Sequence, residues 1–126
     1  MRRTMGLLLT LMLFTIAAVM PSFADESGKA PQVIKIIAKK FEYSPSEIRI
    51  KTGVPVVFEF TSLDRVHGFT VPDLGGIRQT IEPGKANRIT ILAPKAGVYE
   101  FHCDLFCGDG HEGMTGKIIV EDRTTN

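Results

Sequence analysis

The chain has 126 residues, with 15 Lys and Arg against 14 Asp and Glu, and a formal net charge of +1 at pH 7. This length suits one small domain. Charge of both signs is nearly balanced and no basic stripe is present to neutralise phosphates, which argues against nucleic acid as a partner.

Residues 1–24 have the pattern of a secretory signal peptide. Arg2 and Arg3 form the positive start, residues 6–20 are an uncharged and mostly apolar run, and residues 22–24 (Ser-Phe-Ala) offer small residues for a signal peptidase. The apolar run is shorter than the roughly 20 residues that cross a bilayer as a helix. We therefore expect export to a periplasmic or extracellular location. The alternative is an uncleaved anchor that holds the same domain at the membrane face.

Cleavage after Ala24 would leave 102 residues, with 13 Lys and Arg against 14 Asp and Glu and a net charge of −1. Residues 25–31 are small and polar, so we expect a flexible leader there. A single domain is expected over residues 32–122, followed by a C-terminal tail over 123–126. Because no second apolar stretch is long enough to cross a membrane, we expect membrane contact only if the signal stays uncleaved.

The rest of the chain consists of short alternating runs separated by Gly and Pro, which is typical of an all-β sandwich or barrel. In "EIRIKTG", Ile48 and Ile50 point to one side, and in "PVVFEFTS" Val56, Phe58 and Phe60 share one face. We predict about eight strands in a two-sheet sandwich with a single core. The strands are expected at 33–38, 47–51, 55–62, 67–71, 77–81, 88–92, 98–102 and 116–120.

The run "VYEFHC" predicts which side chains face the core near its end. Tyr99, Phe101 and Cys103 share one face, and the two aromatic rings make it the expected core face. His102 lies on the opposite face beside Glu100. We therefore expect Cys103 at the inner end of a strand and His102 at the surface.

Residues 103–114, "CDLFCGDGHEGM", hold both cysteines, one of three histidines and one of five methionines. The spacing is C-x3-C-x3-H-x2-M, and three glycines allow the loop to fold back tightly. The other four methionines lie in the predicted signal. His67, at the start of a predicted strand, is the other imidazole that the fold could bring to this loop.

Three interpretations of this cluster are open. In an exported protein two cysteines form a disulfide by default, although Cys103 and Cys107 would close only a short loop and His111 and Met114 would have no role. A zinc site would take Cys103, Cys107, His67 and His111 but has no use for a thioether. Thiolate, thioether and imidazole together favour copper.

Copper itself offers two arrangements. A mononuclear blue-copper centre uses one thiolate, two imidazoles and an axial methionine, which leaves one cysteine unexplained. Two thiolates that bridge two copper ions, with one imidazole on each ion, account for all five side chains.

The segment "YEFHCDLFCGDGHEGMTGKIIVED", with "VHGFTVPDLG" upstream, resembles the copper-binding domain of cytochrome c oxidase subunit II. That domain is a cupredoxin, a Greek-key β-sandwich, and C-x3-C-x3-H-x2-M is its binuclear CuA motif, also present in nitrous oxide reductase. The similarity runs from about Phe41 to Glu121. It implies that two copper ions are the cofactor, with side-chain ligands and one backbone carbonyl from His67, Cys103, Leu105 (carbonyl), Cys107, His111 and Met114.

The resemblance implies an electron carrier that is not itself an enzyme. Its partners would be redox proteins such as a c-type cytochrome or a terminal oxidase, and it could act as an accessory part of an oxidase complex. A copper site whose positions are all filled by protein is closed to a small-molecule substrate. The alternatives are a copper-delivery protein for oxidase assembly and a mononuclear blue-copper carrier.

The chain also departs from subunit II. Subunit II carries transmembrane helices ahead of this domain, whereas a signal peptide is expected here. Leu105 stands where subunit II usually has a Glu that also serves a magnesium site, and the chain has no Trp. These departures predict a free or loosely associated domain.

Residues around the ligands have expected roles of their own. Phe106 is expected to pack over the metal and keep water out. Asp104, Asp109 and Glu112 would steer a basic partner, although a simply solvated loop is the plainer interpretation.

Overall fold

The structure is a computed structural model that describes residues 30–124. The predicted signal, most of the predicted leader and the last two residues lie outside this range. Within residues 30–124, no helix has the length and apolar character needed to span a membrane. The described strands are β1 (Gln32–Lys39), β2 (Glu42–Ser44), β3 (Glu47–Lys51), β4 (Val56–Ser62), β5 (His67–Val71), β6 (Ile77–Ile81), β7 (Asn87–Ile91), β8 (Gly97–His102) and β9 (Thr115–Glu121).

These strands form two sheets, with the orders β2-β1-β4-β7 and β3-β9-β8-β5-β6. β1 pairs parallel to β4 and β3 pairs parallel to β9, while the other pairs are antiparallel. The prediction of an all-β two-sheet sandwich is confirmed. The sequence predicts about eight strands and the described residues contain nine; the additional one is β2, whose three residues are too few to show an alternating pattern.

Burial follows the predicted alternation. In β3 and β4 the apolar residues Ile48, Ile50, Val56, Phe58 and Phe60 are buried, while most of their neighbours face outward. The same holds at the end of β8, where Phe101 and Cys103 are buried and His102 is exposed. The core face and the surface position of His102 were therefore predicted correctly.

An aromatic cluster joins the two sheets, and Phe69 of β5 lies at its centre. The Phe69 ring centroid is 4.7 Å from that of Phe60 and 5.1 Å from that of Phe101. The rings of Tyr43 and Phe58 lie at 6.2 and 6.1 Å. Because His67 lies two residues before Phe69 on the same strand, the packing of Phe69 also directs the His67 side chain inward.

We expect Phe69→Ala to lower the free energy of unfolding by about 3–5 kcal/mol, because it opens a cavity at the contact between the sheets. Val98→Ala is the matched control, since Val98 is 63% exposed on β8 and should change stability by less than about 0.5 kcal/mol. Urea unfolding of the metal-free, reduced chain measures both. Equal losses would contradict the central place of Phe69 in the core.

Candidate metal centre

The ligand loop, residues 103–114, is the connection between β8 and β9. These strands pair with His102 opposite Thr115, so the two ends of the loop lie side by side. The N–H of Cys103 donates a hydrogen bond to the carbonyl of Met114 at 3.0 Å. The strand register therefore brings the first and the last predicted side-chain ligand of the loop together.

Three sulfur atoms meet inside this loop. The Sγ atoms of Cys103 and Cys107 are 3.5 Å apart, far beyond the roughly 2.05 Å of a disulfide, so both residues are free thiols. The Sδ of Met114 lies 3.9 Å from the Cys107 Sγ. Both cysteines are 2% exposed and Met114 is fully buried, so bulk water has little access to this group.

His67 lies at the start of β5, and one of its ring nitrogens makes a hydrogen bond to a carboxylate. Its Nε2 lies 2.6 Å from Oδ1 of Asp64. A carboxylate accepts hydrogen bonds and does not donate them, so Nε2 carries the proton and Nδ1 keeps its lone pair. That Nδ1 is buried, and among residues 30–124 it has no hydrogen-bond partner.

Asp64 is held in its ionised form by several donors. Burial raises the pKa of the Asp64 carboxyl, but hydrogen bonds from His67 and from the N–H groups of Lys40 and Arg65 outweigh this and lower it to about 2. The carboxylate therefore remains a permanent acceptor for His67 across the physiological pH range.

His67, Cys103 and Cys107 each offer a ligand atom, and these atoms lie within 4.8 Å of one another. An unpartnered imidazole nitrogen beside two thiols and a thioether is a set of soft and borderline donors that fits copper. The residues present therefore fit the metal that the sequence predicts.

His111 is not a member of this group of three, which is the one such group that residues 30–124 contain. It begins a 3₁₀ turn (His111–Gly113) in the second half of the ligand loop. Its Nδ1 is also buried and unpartnered within the described part of the chain.

The carbonyl of Leu105 lies 3.0 Å from the Cys103 Sγ and accepts its hydrogen bond. The roles of His111 and of the Leu105 carbonyl as ligands stay predictions.

Phe106 does not shield the site as expected. Its side chain is 78% exposed, and its ring meets the His111 ring edge-on at a centroid distance of 5.7 Å. The sequence places Phe106 next to a ligand, but it does not show that the loop turns outward at this point.

Gly68 is a site residue that sequence reasoning missed. Its N–H donates to the Cys103 Sγ at 3.3 Å, and its carbonyl accepts a hydrogen bond from the buried hydroxyl of Tyr43. A Cβ at this position would lie 2.1 Å from Oδ1 of Asp104 and 2.9 Å from the N of Leu105. A glycine directly after a predicted ligand was the signal that could have drawn attention to this close approach.

The metal-free Cys107 thiol is protonated at neutral pH. Burial, followed by the hydrogen bond and the charge of Cys103, raises the pKa of Cys107 to about 11, and the Arg65 guanidinium opposes this rise. Because a metal binds the thiolate, metal binding at this site releases a proton and strengthens as the pH rises.

Comparison with known proteins defines the class. The cupredoxin-like domain model matches residues 7–120, so the chain belongs to the cupredoxin-like family, which binds copper. Its homologues in that family are cytochrome c oxidase subunit II and nitrous-oxide reductase, which confirms the resemblance seen in the sequence.

Cytochrome c oxidase subunit 2 of Thermus thermophilus is 31% identical over 97 residues, which cover 77% of this chain and 71% of that protein. Nitrous-oxide reductase of Pseudomonas fluorescens is 32% identical over 83 residues, which cover 63% of this chain and 13% of that enzyme. The periplasmic domain of subunit II of cytochrome oxidase of Bradyrhizobium japonicum superposes with a TM-score of 0.67 at 21% identity, over 75% of this chain and 87% of that one. This last likeness supports the fold.

We expect Gly68→Ala to destabilise the metal-free chain by about 1–3 kcal/mol, because the added methyl group overlaps Asp104 and the Leu105 backbone. Gly113→Ala is the matched control, since a Cβ there meets no atom within 4 Å. Urea unfolding under reducing conditions measures both variants. Unfolding of the two at the same urea concentration would contradict the close approach of the ligand loop to β5.

Proposed function

We propose that this domain holds two copper ions in a CuA-type centre and carries single electrons between periplasmic redox proteins. The observation that carries the proposal is the pair of buried thiols 3.5 Å apart, with Met114 and the free Nδ1 of His67 beside them. One cysteine would serve a mononuclear centre, whereas the two sulfurs at this separation suit a shared, bridging role.

The proposed ligands are those predicted from the motif: His67, Cys103, Leu105 (carbonyl), Cys107, His111 and Met114. Cys103 and Cys107 would hold both copper ions, and such a pair would supply a centre that shares one unpaired electron, so that little rearrangement would accompany oxidation or reduction. The chain supports this by fixing its own donors in advance. Asp64 sets the His67 tautomer, and the Gly68 N–H offsets negative charge on the Cys103 sulfur.

Burial favours a carrier over a copper-delivery protein. Cys103 and Cys107 are 2% exposed and Met114 is 0% exposed, so little of their surface is open to a thiol of another protein. A carrier benefits from a site that exchanges metal slowly, whereas delivery needs a site that a partner can reach. The same burial supports the absence of a small-molecule substrate.

The central test is copper per chain and an electron paramagnetic resonance spectrum of the chain lacking residues 1–24, loaded with copper. We expect two coppers and hyperfine structure from two equivalent nuclei. Cys107→Ser should abolish that pattern, because it removes one bridging sulfur. His102→Ala should preserve it, since His102 is an exposed histidine beside the site. One copper with a spectrum localised on one nucleus would contradict the binuclear centre and favour the blue-copper alternative.

The proposed partner is a basic c-type cytochrome or a terminal oxidase that docks at the ligand loop. Eight large apolar side chains are exposed in the described residues, and four of them belong to the loop before β5 and to the ligand loop: Leu63, Val66, Leu105 and Phe106. Asp109 and Glu112 add exposed negative charge beside them. Asp104 contributes less than expected, because its carboxylate pairs with Arg78 at 3.0 Å.

We expect the double change Asp109→Asn and Glu112→Gln to slow electron transfer from a basic cytochrome about threefold to tenfold at low salt, with the difference fading at high salt. Stopped-flow kinetics at several ionic strengths measures this. The control with the same change in net charge is Glu47→Gln with Glu121→Gln, at the β3–β9 edge. An equal effect of both pairs would contradict docking at the ligand loop.

A further inference from the structure

Arg65 lies two residues before His67, in the connection between β4 and β5, and its side chain reaches the ligand loop. Its Nη1 donates a hydrogen bond to the backbone carbonyl of Cys107 at 2.7 Å. The two residues are 42 positions apart in the sequence. This contact therefore joins the segment that supplies the buried histidine to the segment that supplies the second cysteine.

The Arg65 backbone is also held by hydrogen bonds. Its N–H donates to Oδ1 of Asp64 at 2.7 Å, and this is the same oxygen that accepts the hydrogen bond from His67 Nε2. Its carbonyl accepts a hydrogen bond from the Ser62 hydroxyl. One residue is thus tied both to the carboxylate that orients His67 and to the peptide of Cys107.

The residue after Cys107 is a glycine that leaves room for the Arg65 side chain. Gly108 has a φ of +134°, a conformation that side-chain-bearing residues rarely adopt. A Cβ there would lie 3.0 Å from the Phe41 ring and 3.5 Å from Nη1 of Arg65. The Phe41 ring and the Arg65 guanidinium therefore both pack against the peptide that follows the Cys107 sulfur.

We propose that Arg65 is a positioning residue for the metal centre: it holds Cys107 in place before metal binds, and its charge then favours the reduced centre. The second part rests on the proposed function. A guanidinium is charged at every accessible pH and makes stronger hydrogen bonds than a neutral donor. Within residues 30–124, the Arg65 guanidinium forms no ion pair with a carboxylate, so its positive charge is not neutralised there.

The sign of the electrostatic effect follows from charge alone. Reduction adds one electron to the centre and makes it more negative. A fixed positive charge nearby stabilises that state more than the oxidised state. Removing the charge of Arg65 therefore lowers the reduction potential.

Two variants at position 65 separate the charge from the shape of the side chain. Arg65→Gln removes the charge but keeps an N–H donor, and Arg65→Lys keeps the charge without the planar guanidinium. Arg123→Gln is the matched control, since Arg123 follows β9 at the end of the sandwich opposite the ligand loop. All are compared with the unchanged chain, metal-free and copper-loaded.

We expect Arg65→Gln to speed amide hydrogen exchange across residues 104–113 of the metal-free, reduced chain by at least threefold, and to lower the reduction potential of the loaded chain. Arg65→Lys should restore most of the potential. Arg123→Gln should match the unchanged chain in both measurements, with urea unfolding used to verify that all variants are folded.

Hydrogen exchange in Arg65→Gln equal to that in Arg123→Gln would overturn the positioning role, and it needs no copper. A potential in Arg65→Gln equal to that in Arg123→Gln would overturn the electrostatic role. Failure of the proposed function is distinguishable from both, because it would be seen in the unchanged chain as the lack of a two-copper signal.

Discussion

The hydrogen bond from the Gly68 N–H to the Cys103 sulfur is the contact on which the geometry of the candidate metal centre depends. It exists because β5 lies beside β8 in one sheet, and because Gly68 has no side chain to hold the ligand loop away. The aromatic cluster around Phe69 fixes β5 from the core side. Core packing and sheet order therefore determine the site geometry together, because a shift of β5 would move both His67 and the Gly68 N–H that contacts the Cys103 sulfur.

Burial gives the site its chemical character. Desolvation raises the pKa of Cys107, so its thiol is neutral in the metal-free site, where a thioether and an unpartnered imidazole nitrogen are also buried. A neutral thiol is compatible with an apolar core without a counter-charge. A metal ion would bind the Cys107 thiolate and its positive charge would compensate the negative charge, so metal binding and proton release would be coupled.

Alternation and local spacing were the features of the sequence from which structure could be predicted. Strand faces followed from periodicity, and the ligand loop was recognisable because its residues are close in sequence. The three-residue β2 was missed because it has no period. Asp64 and Arg65 were missed because their roles come from contacts that folding creates, the second across 42 residues. Phe106 was misjudged since the direction of a loop side chain depends on backbone angles that composition does not reveal.

The hydrogen bond between the Cys103 N–H and the Met114 carbonyl, which joins the two ends of the ligand loop, has an evolutionary consequence. The ligand loop begins and ends at adjacent positions of β8 and β9, so the pairing of these two strands is set by residues outside the loop. Natural selection can then change the metal chemistry of the loop while the sandwich is inherited intact. His67 has no such freedom, because it lies in β5 and a change in the pairing of that strand would move its side chain.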